Sequence, residues 1–306
     1  MDELIEIKPA RSDEEVRIYL DTVPKIWPGE PTLEEFRHRE RTWSALHPLA
    51  FLDGEPAGTG WAGSFPGSED DPHLGCGFGA VPEWRGRGVG MALYRAISEH
   101  GRSIGKEGLT VEVMADDPGS LAWGERRGFV EVERQEAVAL DLARHEPEPV
   151  EPPYGVEIAT RAERPDLARQ MYAVGLEAGR DIPGLDGTHD PGFEAWASFE
   201  IERPSRDPEL FFIALCDAKV VGFASLDVFP GDVFHGLTAV SREWRNRGVA
   251  TALKRSQIAA AKARGYRRLL TKSQHENEPM RRLNEKLGFR PEPAMSTIVL
   301  RGPLAD

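Results

Sequence analysis

The stretch EWRGRGVGMAL, residues 83–93, sets Arg85 and Arg87 among Gly86, Gly88 and Gly90 and runs straight into a helix-forming segment. A near copy, EWRNRGVATAL, fills residues 243–253. At an offset of 160, Glu83, Trp84, Arg85, Arg87, Gly88, Val89, Ala92, Leu93 and Arg95 fall on identical residues, nine matches in 13 positions. Gly128-Phe129 falls on Gly288-Phe289 in the same register. A repeat of that length is a duplicated domain, not a solenoid unit.

The first turn of a helix leaves about four N–H groups unpaired and carries partial positive charge. Glycines just ahead of it let the backbone approach a ligand closely, and the arginines add charge at the rim. The pattern predicts an anion cradle suited to phosphate or pyrophosphate. A P-loop is excluded because neither copy has Gly-Lys followed by Ser or Thr. The dinucleotide pattern G-x-G-x-x-G fails because Met91 stands where its last glycine belongs. What remains is R-x-x-G-x-G at 85–90 and R-x-x-G-x-A at 245–250.

Outward from the loops, the halves predict the same order of elements. In the first, helices are expected over RSDEEVRIYLDTV and TLEEFRHRERTW, with Ser12 and Thr32 as N-caps. Strands follow at LAFL, AGTGWAGSF and HLGCGFGAV, then the helix GMALYRAISEHGRS, the strand LTVEVMA and the helix SLAWGERRG. Two paired strands, FVEVE and AVALDL, close the half. The second half repeats this from helices near 165–178 and 192–202 to strands ending at 300. The expected class is α+β: two domains, each a mixed, mostly antiparallel sheet flanked by helices. The expected bounds are 1–145 and 154–306, joined by a proline- and glutamate-rich linker at 146–153.

At 306 residues the chain suits two domains of about 150 each. A formal charge of −13 disfavours nucleic acid as a partner. No run of 18 apolar residues predicts a membrane span, and the acidic start MDELIEIKPARSDEE lacks a signal-like apolar core, so a cytoplasmic protein is expected. Cys76 and Cys216 stand alone in separate halves, as core thiols rather than a disulfide or zinc site. No metal is expected; in HENE, 275–278, the histidine has no second ligand at i+4.

The two loops, together with LAWGERRGF and MRRLNEKLGF, resemble the GNAT superfamily of N-acetyltransferases, whose signature is Q/R-x-x-G-x-G/A. The resemblance covers most of both halves. It implies a tandem acetyltransferase that uses acetyl-CoA as acyl donor, with loop amides holding the pyrophosphate. That role carries over to Val240, Arg245, Arg247, Gly248, Val249 and Ala250, and in the first half to Val81, Arg85, Arg87, Gly88, Val89 and Gly90. Asn277 matches an asparagine with which many members bind the cofactor; the first half has Asp117. Many members place a tyrosine, the acid for the leaving thiolate, four residues before the Gly-Phe glycine. Here those positions are Gly124 and Asn284, and Asn284 is left as a hydrogen-bond donor. The implied chemistry is direct attack of an amine on the thioester, centred on the C-terminal half, with a first half that binds acetyl-CoA without turnover or is purely structural.

His235 and Asp227 are the candidate bases, on strands expected to flank the cleft. Thr238 is a candidate for the thioester channel and His189 for the acceptor wall. Trp84 and Trp244 are expected to cover the loops by packing. The expected partner is a small-molecule amine, bound by a monomer or homodimer. The alternatives are a non-catalytic acyl-CoA-binding or sensing protein and a nucleotide-binding protein that shares the loop.

Overall fold

The computed structural model describes every residue except 1–3, 28, 30–31, 44, 65–66, 183–189 and 230. The chain opens on β1 (Ile5–Pro9), where Ile5 and Ile7 are half-buried and Glu6 and Lys8 exposed. Ser12 then caps α1 (Asp13–Thr22) and closes a capping box with Glu15. Thr32 Oγ1 accepts the Glu35 N–H at 3.1 Å and so starts α2 (Leu33–Trp43). Next come β2 (Pro48–Leu52), β3 (Glu55–Gly63), β4 (His73–Ala80), α3 (Val89–Ser103), β5 (Gly108–Met114), α4 (Pro118–Glu125) and β6 (Val130–Asp141).

The second half runs through β7 (Val156–Thr160), α5 (Ala168–Gly179), α6 (Phe193–Glu200), β8 (Phe212–Cys216), β9 (Lys219–Phe229) and β10 (Asp232–Val240). It continues with α7 (Val249–Ala263), β11 (Arg268–Gln274), α8 (Glu278–Lys286), β12 (Arg290–Pro291) and β13 (Thr297–Pro303).

The contacts divide the chain into Met1–Val132 with Ile298–Asp306, and Glu133–Thr297. In the first unit the sheet order is β1-β2-β3-β4-β5-β13; in the second it is β6-β11-β10-β9-β8-β7, with β12 on β6. Neighbours are antiparallel where the register is defined, except β4–β5 and β10–β11, which are parallel. Each unit is therefore of the α+β class anticipated for it.

Three features depart from the sequence reading. FVEVE and AVALDL form one continuous strand, because Arg134-Gln135-Glu136 offers no glycine, proline or Asx residue to turn the chain. Residues 135–141 of that strand pair with β11, and the last strand of the sequence sits beside β5, so the division falls at 132/133 and 297/298 rather than at the proline-rich stretch. Residues 146–153 carry no helix or strand and lie wholly in the second unit, where Lys262 and Arg255 of α7 bond His145, Glu146, Glu148 and Pro149. The five-residue strands β1 and β7 were not anticipated; each carries only a short alternation, IEIKP and VEIAT.

One helix crosses each sheet directly after the glycine loop. α3 buries Val89, Leu93, Ile97 and Gly101 at four-residue spacing, and α7 buries Val249, Leu253, Gln257 and Ala261 at the same places. Leu93 packs in a cluster with Ala50, Leu52 and Ala57, and truncating it to alanine is expected to cost about 2–5 kcal/mol. Gln257 interrupts the apolar stripe in the second unit alone, and that interruption leads to the site.

Candidate active site

Each loop leaves its strand through a short 3-10 turn, Pro82–Trp84 or Arg242–Trp244. Gly88 at φ +90° and Gly248 at φ +91° are the N-caps of α3 and α7. Two residues earlier, Gly86 and Asn246 are also left-handed, at +79° and +59°. Asparagine tolerates that region better than most residues, so the two loops keep one backbone shape although the sequence differs there. No side chain caps either helix, and a Cβ at Gly90 would meet nothing within 4 Å. Both loops thus leave first-turn N–H groups uncapped by any side chain, the arrangement that an anion cradle requires.

The arginines brace these loops. Arg245 Nε donates to the Val240 carbonyl at 3.0 Å, and Arg85 Nε reaches the Ala80 carbonyl at 3.5 Å. In loop register Val240 therefore corresponds to Ala80, and Val81 to Ser241, one position from the pairing made on sequence. Arg87 stacks over Trp84 at 4.6 Å and Arg247 over Trp244 at 5.1 Å, so both tryptophans support their own loops. A carboxylate clamps the second loop, where Asp181 pairs with Arg245 at 2.7 Å and Arg242 at 2.6 Å, while in the first loop Arg87 lies 3.8 Å from Asp53. Hydrogen bonds from Arg242 and Arg245 hold the Asp181 carboxyl below the usual carboxylate range.

Below each loop the sheet forks. β4 pairs with β5 only over His73–Cys76, and β10 with β11 only over Asp232–Phe234. The second fork has an added feature: between His235 and Thr238 the ladder to β9 shifts by one residue, leaving Gly236 and Leu237 in a bulge. The β3–β4 ladder runs from Gly63↔Gly75 to Gly58↔Ala80 without interruption. Counting from the parallel pairs, His235 takes the place of Cys76; counting back from the loop, Thr238 takes the place of Phe78.

Side chains at matching places in the two forks differ in kind. In the first unit Phe78 stacks on Tyr94 at 6.0 Å and meets Trp123 edge-on at 5.7 Å, while Tyr94 also contacts Phe129. The Tyr94 hydroxyl donates to the Pro303 carbonyl at 2.7 Å. Cys76 is buried beneath them, and burial pushes its thiol up to about 12. In the second unit the counterparts of Cys76, Phe78, Tyr94, Ile97 and Gly124 are His235, Thr238, Lys254, Gln257 and Asn284. Lys254 and Asn284 are 1% exposed, Gln257 0% and His235 8%. Among the described residues, both side-chain polar atoms of His235, Gln257 and Asn284 lack hydrogen-bond partners. Buried polar groups are nearly always paired, so such a group of orphans marks a place built for something polar.

The candidate bases are not brought together. His235 lies on the α7 side, its ring 5.6 Å from that of Phe289. Burial holds its imidazole well below 6.5; Lys254 adds to this, and nearby Gln257 opposes it without a hydrogen bond of normal geometry. Asp227 pairs in register with Phe234 and so faces the other side of the sheet. There its carboxylate accepts from the Ser205 hydroxyl at 2.9 Å and lies 3.3 Å from Arg206 Nε. Arg206 is buried, also pairs with Glu200 at 3.4 Å and bonds Ser225, directly behind the bulge at Gly236. Burial pushes the Glu200 carboxyl up, with Arg206 and Arg203 opposing.

Asn277 caps α8, its side chain accepting from the Met280 N–H at 3.4 Å, as Asp117 caps α4 through Ser120. Thr238 is the first paired residue after the bulge. His189 lies outside the described residues. Sequence reasoning missed Lys254, Gln257, Glu200 and Arg206. The first two were legible as polar intrusions against Tyr94 and Ile97 in the aligned repeat; Glu200 and Arg206 carry no local pattern.

A groove of about 960 Å³ also opens in the second unit, lined by Asp141, His145, Asp232, Arg268 and Glu292 among others. It sits at the start of β10, away from the loop, and holds none of the fork residues. Among the described residues no group of three metal-ligating side chains converges, and no helix is long and apolar enough to cross a membrane.

Comparison with known proteins places this geometry. The chain is 27% identical over 293 residues to the mycothiol acetyltransferase of Nocardiopsis dassonvillei, covering 85% of this chain and 83% of that protein. It is 30% identical over 87 residues to N-alpha-acetyltransferase 30 of Schizosaccharomyces pombe, a match to 27% of this chain and 58% of that protein. A tandem GNAT protein from the clavulanic acid biosynthesis pathway shares the fold with a TM-score of 0.78 at 20% identity, over 99% of both chains. The acetyltransferase (GNAT) family matches residues 13–129 and again 180–289. One glycine loop, fork and closing Gly-Phe lie inside each match, and the chain belongs to the GNAT acetyltransferase family twice over.

Proposed function

We propose that the protein transfers the acetyl group of acetyl-CoA to an amine of a small molecule, and that the transfer takes place in the second unit. The observation that carries this reading is the bulge at Gly236-Leu237, set where β10 leaves β11 and absent from the uninterrupted β3–β4 ladder. A bulge there turns backbone N–H groups out of the ladder and into the fork, where an oxyanion would need them. The Gly248 loop above it would hold the pyrophosphate, with Arg245, Arg247 and the first-turn amides of Val249 and Ala250. The fork itself gives the pantetheine arm a slot between β10 and β11.

The first unit keeps an open loop, but Phe78, Tyr94 and Trp123 fill the space below it. Its role in this reading is structural, with at most weak binding of the nucleotide end of the donor. The likeness to enzymes named for mycothiol runs along most of both chains, whereas the likeness to an N-alpha-acetyltransferase covers about a quarter of this one. That favours a small-molecule acceptor over a protein terminus.

The test is thiol release from acetyl-CoA in the presence of a panel of primary amines. The proposal expects at least one amine to raise release well above the amine-free rate. Binding of acetyl-CoA with no response to any amine would instead support an acyl-CoA-binding or sensing protein.

A further inference from the structure

We propose that the Lys254 ammonium is the general acid that protonates the departing CoA thiolate in the second unit, a role left open by the missing tyrosine at position 284. The proposal rests on the transfer reading above. Lys254 projects from α7, one and a half turns beyond the glycine loop, and is almost wholly buried. Its ammonium lies 5.9 Å from the Phe289 ring centre and acts electrostatically on His235. His235 is the residue after the last β10–β11 pair, so the lysine stands at the base of the fork. Asn284, from α8, is buried nearby in sequence to Phe289 with both side-chain polar atoms unpaired.

The first unit shows what this place looks like when it serves packing alone. Tyr94, at the matching position, stacks on Phe78, meets Trp123 edge-on and spends its hydroxyl on the Pro303 carbonyl. Burying a cation without a carboxylate partner destabilises a fold, so packing gives no reason for the lysine. The surroundings suit an acid instead. From β10 the titratable group facing Lys254 is His235, kept neutral by burial. Gln257 on α7 and Asn284 on α8 carry no charge, nor do Thr271 and Ser273, which share a face of β11 with Leu269. Burial alone lowers the lysine to about 7. An ordinary lysine near 10.4 would hold its proton against a thiolate of pKa about 8.5; one near 7 gives it up and is still half protonated at neutral pH.

In the step proposed, the acceptor nitrogen bonds the thioester carbon, the carbon–sulfur bond breaks and its electron pair goes to sulfur. Sulfur takes a proton from Lys254 Nζ, and the amine proton lost to solvent balances the one that restores the ammonium.

The experiment compares wild type with Lys254→Met in thiol release from acetyl-CoA, with and without a primary amine, across pH 5.5–9.5, alongside thermal melts. Lysine ionisation is followed separately by ¹⁵N resonance in the wild-type protein. The expected result is a wild-type kcat that falls as pH rises through about 7, matched by a lysine resonance titrating there. Lys254→Met should lose at least thirtyfold in kcat and lose that alkaline fall, keep its KM for acetyl-CoA within about threefold, and melt higher than wild type. A variant within twofold of wild type with the same pH profile, or no lysine titrating below about 9, would overturn the role of Lys254 and leave the transfer reading standing. Wild type that binds acetyl-CoA but releases no thiol under any condition would overturn both.

Discussion

The two units share a loop and part company beneath it. Gly88 and Gly248 differ by one degree in φ, both arginines stack on their tryptophans, and both parallel strand pairs fork after three or four residues. Under the first loop lie Phe78, Tyr94 and Trp123 in mutual contact; under the second lie Thr238, Lys254, Gln257 and Asn284 around an extra residue in the strand. The lesson is that the loop reports ancestry, whereas the fork reports function. A glycine loop also starts a core helix whether or not it binds a ligand, whereas buried unpaired polar groups carry a cost that packing does not explain.

The contrast can be broken most forcefully at the second loop. Gly248→Asp forces a side chain into φ +91° and puts a carboxylate where phosphate should sit. It is expected to lower kcat/KM for acetyl-CoA by roughly a hundredfold or more, read by thiol release, with the melting transition retained.

Exchanging the fork residues comes next. Thr238→Phe places the first unit's aromatic in the second fork and is expected to cut transfer about tenfold to a hundredfold. The reciprocal Phe78→Thr should destabilise the first unit by about 2 kcal/mol through lost aromatic packing, seen as a lower melting temperature.

Lys254 gives the contrast a pH signature in stability. Its folded pKa is near 7 against 10.5 for the free side chain, so between those values the unfolded chain binds the extra proton. Stability therefore rises with pH through this window, and below about 7 the full burial penalty, on the order of a few kcal/mol, is present. Lys254→Met should raise the melting temperature more at pH 6 than at pH 9.5.

The smallest effect is expected at Asp181, which pairs with Arg245 at the surface and in the proposed function would compete with phosphate for it. Asp181→Asn should lower KM for acetyl-CoA by about twofold to threefold, and added salt should shrink the difference.

Most of the fold was legible because the duplication let one half check the other. Ser12 and Thr32 announced their helices, and the loop signature located the strand-to-helix junctions. The unread parts have physical causes. FVEVE and AVALDL read as two hairpin arms, although the residues between them cannot turn and β6 is one strand. Its pairing with β11, and that of β13 with β5, depend on long-range contacts to which no local pattern points. At the site, the glycines and arginines are readable from spacing, whereas His235 and Asp227 stand out in the sequence only as titratable residues near the fork. The strand alternation puts them on opposite faces, and the bulge that reorders β10 has no sequence mark beyond the one-residue slip between the halves. Lys254 falls opposite Tyr94 in the aligned halves, but nothing local in the sequence marks its burial.

The central claim, one working fork and one filled fork beneath two like loops, is tested most directly by native mass spectrometry during titration with acetyl-CoA. The account predicts one acetyl-CoA bound tightly per chain, lost in Gly248→Asp. Two bound with like affinity in wild type, or a single one that survives Gly248→Asp, would contradict it.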